Sequence, residues 1–211
     1  MLCVLHRREP PHFSKSARSG APGAVGLLKD ERGAALLEFA IALPLLVVFV
    51  VGIYDFSGAF NQKQKIEQAA QEGVIVAGAQ PMSDIQSSNG NPESLQAVVM
   101  AVFNSLASSG VLPNAGLSCT GPLPPTPSPP VGLAWAYSIS GCSSAHAGDP
   151  LVITINRGWV SGTTPVAVGT MVTVTYPYHW QFNSVIQLLV PGASYAAQTT
   201  LTESATVHNQ L

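Results

Sequence analysis

The longest apolar segment of the chain covers residues 34–54, and Glu38 is its only charged residue. As an α-helix, these 21 residues would be about 31 Å long, which matches the ~30 Å hydrocarbon core of a bilayer. A buried core helix is the alternative, but core helices are usually shorter and have a polar face. Pro44 removes one backbone hydrogen bond and is expected to kink the helix, which membrane helices tolerate. The pattern therefore predicts a transmembrane helix over residues 34–54.

A helical pattern continues beyond this segment and predicts a helix extension over residues 55–80. Apolar residues recur there at the spacing of one helix face, and most are small: Ile66, Ala69, Ala70, Gly73, Val74 and Ala77. Another helix or a sheet could approach such a stripe closely, and packing on the protein's own domain is the simplest expectation. A second helix is expected to begin at Asn91-Pro92-Glu93, with Asn91 as the capping residue, and to end at Ser108-Ser109-Gly110.

The period of the pattern changes to two after residue 133, which is typical of strands. Strands are predicted over residues 133–139, 151–155 and 171–176, with a weaker fourth over 199–207, and Pro177 is expected to end the third. Residues 182–190 are apolar but too short for a second span, so they predict a core helix or one lying against the membrane. Residues 121–131 are rich in proline and predict an extended loop. Residues 81–211 should therefore form an α+β domain, with a helix packed on an antiparallel sheet.

The distribution of charge predicts how the chain is oriented in the membrane. Six of the nine Lys and Arg residues precede the apolar segment, within residues 1–33. By the positive-inside rule this leader stays in the cytoplasm, and the chain after about residue 55 is exported. An ordinary signal peptide fits poorly, because its apolar core is shorter and ends at a small-residue site. The net charge of −2 leaves no basic surface for nucleic acid.

The junction between leader and helix carries the most informative polar residue. Glu38 is the fifth residue after Gly33, close to the start of the apolar segment. A carboxylate in a membrane is costly and is by default a functional candidate. Cleavage after Gly33 would create an α-amino group at Ala34, which could pair with Glu38 of a neighbouring subunit. The alternative is that Glu38 reaches the membrane interface by itself.

A basic leader, a glycine and an apolar helix with Glu at its fifth position resemble a type IV prepilin, and Glu38-Phe39 resembles the variant of tight-adherence (Flp/Tad) pili. More specifically, residues 32–79 resemble the TadE-like pilus-assembly proteins. The matching elements are Arg32-Gly33-Ala34, Glu38-Phe39, Leu43-Pro44-Leu45, Gly52-Ile53-Tyr54-Asp55-Phe56 and Ala69-Ala70-Gln71-Glu72-Gly73.

This resemblance implies a minor pilin or pseudopilin that a prepilin peptidase processes between Gly33 and Ala34, and that docks through Glu38 and Phe39. It also implies the bacterial inner membrane, a periplasmic C-terminal domain, and other pilins and an assembly platform as partners. An entry into the extracellular pilus would be consistent with it. The alternative is a single-pass envelope binding protein that is never cleaved and joins no filament.

The remaining candidate chemistry is sparse. Cys119 and Cys142 would both be exported, where an oxidising compartment favours a disulfide between them. A zinc site with His146 is the alternative, but it lacks paired-ligand spacing. The chain has no common catalytic motif, and the hydrolase alternative rests only on the proximity of Ser143, Ser144, His146 and Asp149. We therefore expect no enzyme activity, no cofactor, no metal and no small-molecule substrate.

Overall fold

The computed structural model describes residues 31–85, 90–112, 127, 131–140, 148–162, 164, 166–182 and 198–209. The chain divides into two compact units, Met1–Val47 and Val48–Leu211. The described part of the first unit is helical throughout. The second unit contains the remainder of this helix, a second helix and a sheet.

The N-terminal helix α1 spans Glu31–Ala79, 49 residues, and continues through Pro44. In its apolar segment, the large hydrophobic side chains from Leu36 to Phe49 are 41–71% exposed, apart from Val48, which is partly exposed. The alternative of a buried core helix is therefore wrong for this segment. Among the described residues, α1 is the one helix long and apolar enough to cross a membrane. The kink expected at Pro44 stays a prediction.

The second helix α2 spans Glu93–Ser108, close to the predicted bounds, and it buries an apolar stripe of Leu95, Val98, Val99, Val102 and Leu106. The prediction that Asn91 caps it is wrong. Pro92 occupies the N-cap position, and no side chain at that position bonds to the helix. Asp84, ten residues before Ser94, caps the helix instead of Asn91. Its carboxylate accepts the Ser94 N–H at 2.8 Å and the Ser94 hydroxyl at 2.9 Å.

Four antiparallel strands form one sheet in the order β1-β2-β3-β4. Their bounds are Ala134–Ile139 for β1, Leu151–Val160 for β2, Val168–His179 for β3 and Gln198–His208 for β4. The four predicted strands are confirmed, as is the α+β class. Pro177 does not end β3 but lies within it, opposite Thr200. Because β2 pairs with β3 only as far as Thr175, one edge of β3 is unpaired there, and a residue without an N–H is tolerated.

The core lies where the second half of α1, α2 and one face of the sheet meet. The predicted stripe of α1 contributes Ile66, Ala69, Ala70, Val74 and Ala77, all at most 5% exposed. The strands contribute alternate residues such as Tyr137, Ile153 and Val172. Gly73 lies at the closest approach, since a Cβ there would overlap Val102 and lie 3.3 Å from Val172 Cγ1. The small residues therefore serve packing within the protein's own domain.

Several predictions fall on residues that the structure does not describe. They are the leader up to residue 30, the proline-rich loop 121–131 apart from Pro127 and Val131, the apolar stretch after Phe182, and Cys119, Cys142, Ser143, Ser144 and His146. The described residues include no cysteine, so nothing in them supports the predicted disulfide.

Candidate functional site

The predicted processing and docking residues lie in the first turns of α1. Nothing lies within 4 Å of a Cβ placed on Gly33, so this position is open on the helix surface. Ala34, Glu38 and Phe39 are exposed. Glu38 has no hydrogen-bond or ion-pair partner among the residues that the structure describes. The structure therefore presents these side chains outward, and their roles stay predictions.

Asp55 joins α1 to the end of β3, just past the apolar segment. It is 2% exposed. Its Oδ1 accepts the Tyr178 hydroxyl at 2.9 Å, and its Oδ2 accepts the backbone N–H of Phe182 at 2.8 Å. Both carboxylate oxygens are thus satisfied, as a buried charge requires. Gly58 makes room for this contact, because a Cβ there would lie 2.8 Å from the Tyr178 oxygen.

Burial, and secondly the hydrogen bond to Asp55, raise the pKa of Tyr178 to about 12. The phenol therefore remains a neutral donor to the carboxylate over the whole physiological range. The Asp55–Tyr178 contact links residues 123 positions apart in the sequence. Because the two residues are so far apart, the sequence motif Tyr54-Asp55-Phe56 does not indicate which residue binds Asp55.

Three rings, Phe56, Tyr178 and Trp180, form an aromatic cluster beside Asp55. Trp180 packs edge-to-face on both other rings, with centroids 5.1 Å apart in each pair. Its indole N–H donates to Thr199 Oγ1 at 2.6 Å. A small cavity of about 90 Å³ lies between Phe56, Trp180, Phe182 and Gly52. Since Gly52 belongs to the predicted span, the cluster lies beside the last turn of that span.

Arg157 attaches the other end of α1, and the sequence analysis missed it. Its side chain is 1% exposed. The guanidinium donates to the carbonyls of Ala77, Gln80 at 2.9 Å and Pro81 at 3.2 Å, and to Thr170 Oγ1 at 3.4 Å. A cation at this position satisfies the unpaired carbonyls of the helix C-terminus and its negative partial charge. Burial lowers the pKa of Arg157, and the nearby Asp84 carboxylate opposes this shift.

The signal that could have found Arg157 is its isolation. It is the only Lys or Arg after Lys65. A single Lys or Arg in the 146 residues after Lys65 is more informative than one among many, because a solvated surface normally carries several. Asp84 caps α2 while its charge acts on Arg157. The end of α1 and the start of α2 are therefore held by neighbouring opposite charges.

Few of the residues considered for catalytic or metal chemistry are described. Of the residues in the hydrolase alternative, only Asp149 is described, and its Oδ2 contacts His179 Nε2. An open cleft of about 460 Å³ beside α1 has Asn61, Gln62 and Lys65 in its lining. Within the described ranges, no three His, Cys, Asp or Glu side chains are grouped so that they could hold a metal ion.

Comparison with known proteins gives one family match, and it lies within α1. Residues 33–74 match the family described as TadE-like protein. No curated protein and no solved structure matches the chain. The match begins at Gly33, includes Glu38 and Asp55, and ends one residue after Gly73. The segment 33–74 is therefore TadE-like, as the sequence resemblance predicted, and the chain is consistent with a TadE-like pilus-assembly protein.

Proposed function

We propose that this protein is a minor pilin or pseudopilin of a tight-adherence pilus, inserted in the inner membrane and processed after Gly33. The observation that carries the proposal is the TadE-like segment itself, whose apolar part is exposed along α1. A helix with an apolar window of 18 residues, none of them buried within the protein, needs lipid or neighbouring helices around it. By the positive-inside rule, the basic leader supports a cytoplasmic N-terminus and a periplasmic sheet domain. The proposed role is structural and needs no catalytic step.

The mature N-terminus tests this proposal most directly. Intact mass and terminal peptide sequencing of protein from native membranes should show a start at Ala34 in a strain with the prepilin peptidase. In a strain without the peptidase, the protein should start at Met1. A start at Met1 in both strains would refute processing and favour the uncleaved single-pass envelope binding protein.

A pair of glycine substitutions sharpens the test. Gly33→Ala should block cleavage, whereas Gly52→Ala should leave it intact. Both glycines lie in α1, and neither has an atom within 4 Å of an added Cβ, so both substitutions change the helix equally little. Cleavage of the Gly33→Ala protein as efficient as that of the Gly52→Ala protein would contradict the proposed site.

The docking role of Glu38 needs a separate experiment. A zero-length carbodiimide cross-linker joins an amine to a carboxylate that lies in contact with it. If Glu38 contacts the Ala34 α-amino group of a neighbour, cross-linking of processed protein in membranes should yield a Glu38–Ala34 peptide. Glu38→Gln should abolish that peptide, while Glu72→Gln, an exposed carboxylate near the other end of α1, should not. Absence of the peptide from processed wild-type protein would refute the pairing.

A further inference from the structure

We propose that the aromatic cluster of Phe56, Tyr178 and Trp180 is a membrane anchor, which holds the β3 end of the sheet domain against the lipid interface. This inference rests on the proposed membrane insertion of residues 34–54. The cluster would contact the boundary between lipid headgroups and acyl chains, on the side of the membrane where the sheet domain lies. It concerns a surface of the folded domain, not the spanning helix.

The position of the cluster is the first argument. Phe56 comes two residues after the end of the apolar segment, which is about 3 Å along a helix. Trp180 contacts Phe56 and, with Phe182, lines a cavity that reaches Gly52 inside the segment. If residues 34–54 fill the hydrocarbon core, Trp180 therefore lies at its boundary.

The chemistry of the cluster is the second argument. Tyr and Trp concentrate at membrane interfaces because one end of each ring system is apolar and the other is a hydrogen-bond donor. Phe56 and Tyr54 are 60% and 77% exposed, so apolar surface continues outward from the span. The donors of Tyr178 and Trp180 are bound to Asp55 and Thr199. The rings can thus meet lipid without leaving an unpaired polar group.

The attachment to α1 is the third argument. Asp55 bonds to both Tyr178 and the backbone of Phe182, so the chain on both sides of Trp180 is fixed to the helix. The depth of the helix therefore sets the depth of Trp180. Lys63 and Lys65 follow about two to three turns later along α1, where cations suit the aqueous side of an interface.

Tryptophan quenching by brominated lipids tests the anchor in the full chain reconstituted into liposomes. The wild-type protein should lose fluorescence in brominated lipid, and more with bromine near the glycerol end of the acyl chain than near its terminus. Trp180→Phe should remove this loss. Trp159→Phe should preserve it, because Trp159 pairs with Gly169 at the opposite end of β3, about 35 Å away along the strand. Trp159 is partly exposed, as is Trp180, which makes it a matched control.

A reporter within the span separates failure of the anchor from failure of the proposed function. Phe49 is exposed in the apolar segment, and a Phe49→Trp variant should add a component quenched by deep bromine. If that component is quenched but Trp180→Phe leaves the wild-type quenching unchanged, the anchor is refuted and membrane insertion stands. If another protein chain covers the cluster, bromine cannot reach Trp180, so Trp180→Phe again leaves the quenching unchanged and the anchor is again refuted. If the added component is not quenched, membrane insertion itself is refuted. Circular dichroism of each variant verifies that it is folded.

Discussion

Replacing Gly73 with alanine should destabilise the domain, although alanine is the better helix former. A Cβ at this position would overlap Val102 Cγ2 on α2 and lie 3.3 Å from Val172 Cγ1 on β3. Both valines are fully buried, so neither can turn toward solvent. The helix must therefore move away from its neighbours, or the valines must adopt strained rotamers.

The size of the effect follows from two opposing contributions. Overpacking a buried site costs about 1–3 kcal/mol, and an overlap with a fully buried side chain belongs to the upper part of that range, about 2–3 kcal/mol. Relief of the glycine penalty in a helix returns about 1 kcal/mol. The free energy of unfolding should therefore fall by about 1–2 kcal/mol. Gly52→Ala is the matched control, because nothing lies within 4 Å of its added Cβ, and it should not destabilise.

A double substitution tests whether the contact with Val102 is the cause. Val102→Ala alone should cost about 2 kcal/mol through lost burial and a cavity. In the Val102→Ala background, Gly73→Ala should cost much less, which gives a coupling of about 1–2 kcal/mol. Chemical denaturation of the full chain in detergent, followed by the fluorescence of the buried Trp135, measures all four proteins. A Gly73→Ala protein as stable as wild type, or equal costs in the two backgrounds, would refute the packing argument.

Three further predictions concern the contacts around α1, and the same denaturation measures each. Stability should fall as pH rises from about 10 to about 12, because unfolded tyrosine ionises near its ordinary pKa of about 10 while the pKa of Tyr178 is raised to about 12. Tyr178→Phe should reduce this slope, and an unchanged slope would contradict the assignment. Arg157→Met should destabilise by about 2–4 kcal/mol through lost charge-assisted hydrogen bonds, and Arg157→Lys should recover only part of this because lysine lacks the planar fork. Asp84→Ala should lower the free energy of unfolding by about 1 kcal/mol, because a helix cap is lost, and Asp84→Asn should lower it less. Equal effects of the two substitutions would argue against capping.

The elements that sequence analysis located are those with a periodic pattern. The stripe of α2 and the alternation in β1 to β3 follow directly from which face is buried, so spacing alone identifies them. The sequence pattern of the fourth strand is weaker, because all of its side chains are exposed or partly exposed. Its pairing with β3 over the whole range from Gly169 to His179 depends on backbone hydrogen bonds, which leave no mark on residue type.

The contacts that sequence analysis did not locate are those between residues far apart in the chain. Asn91 fits the local rule for a helix cap, yet the cap is Asp84, and Asn91 instead accepts a hydrogen bond from Tyr137. Local rules identify which residue types can satisfy a helix end but not which of several nearby candidates reaches it. Arg157 illustrates the same limit, since its partners at the end of α1 lie 76–80 residues earlier.

The two long-range attachments, through Asp55 and Arg157, fix the second half of α1 to the sheet. Asp55 bonds to Tyr178 near one end of β3, while Arg157 bonds both to Ala77 and to Thr170 near the other end. These points are about 33 Å apart along α1 and about 26 Å apart along β3. Between them, Lys63 pairs with Glu203 on β4 at 3.2 Å. A helix attached at both ends of the strand beneath it cannot slide or tilt without breaking buried hydrogen bonds. Movement of the part of α1 between Asp55 and Ala77 must therefore move the sheet with it.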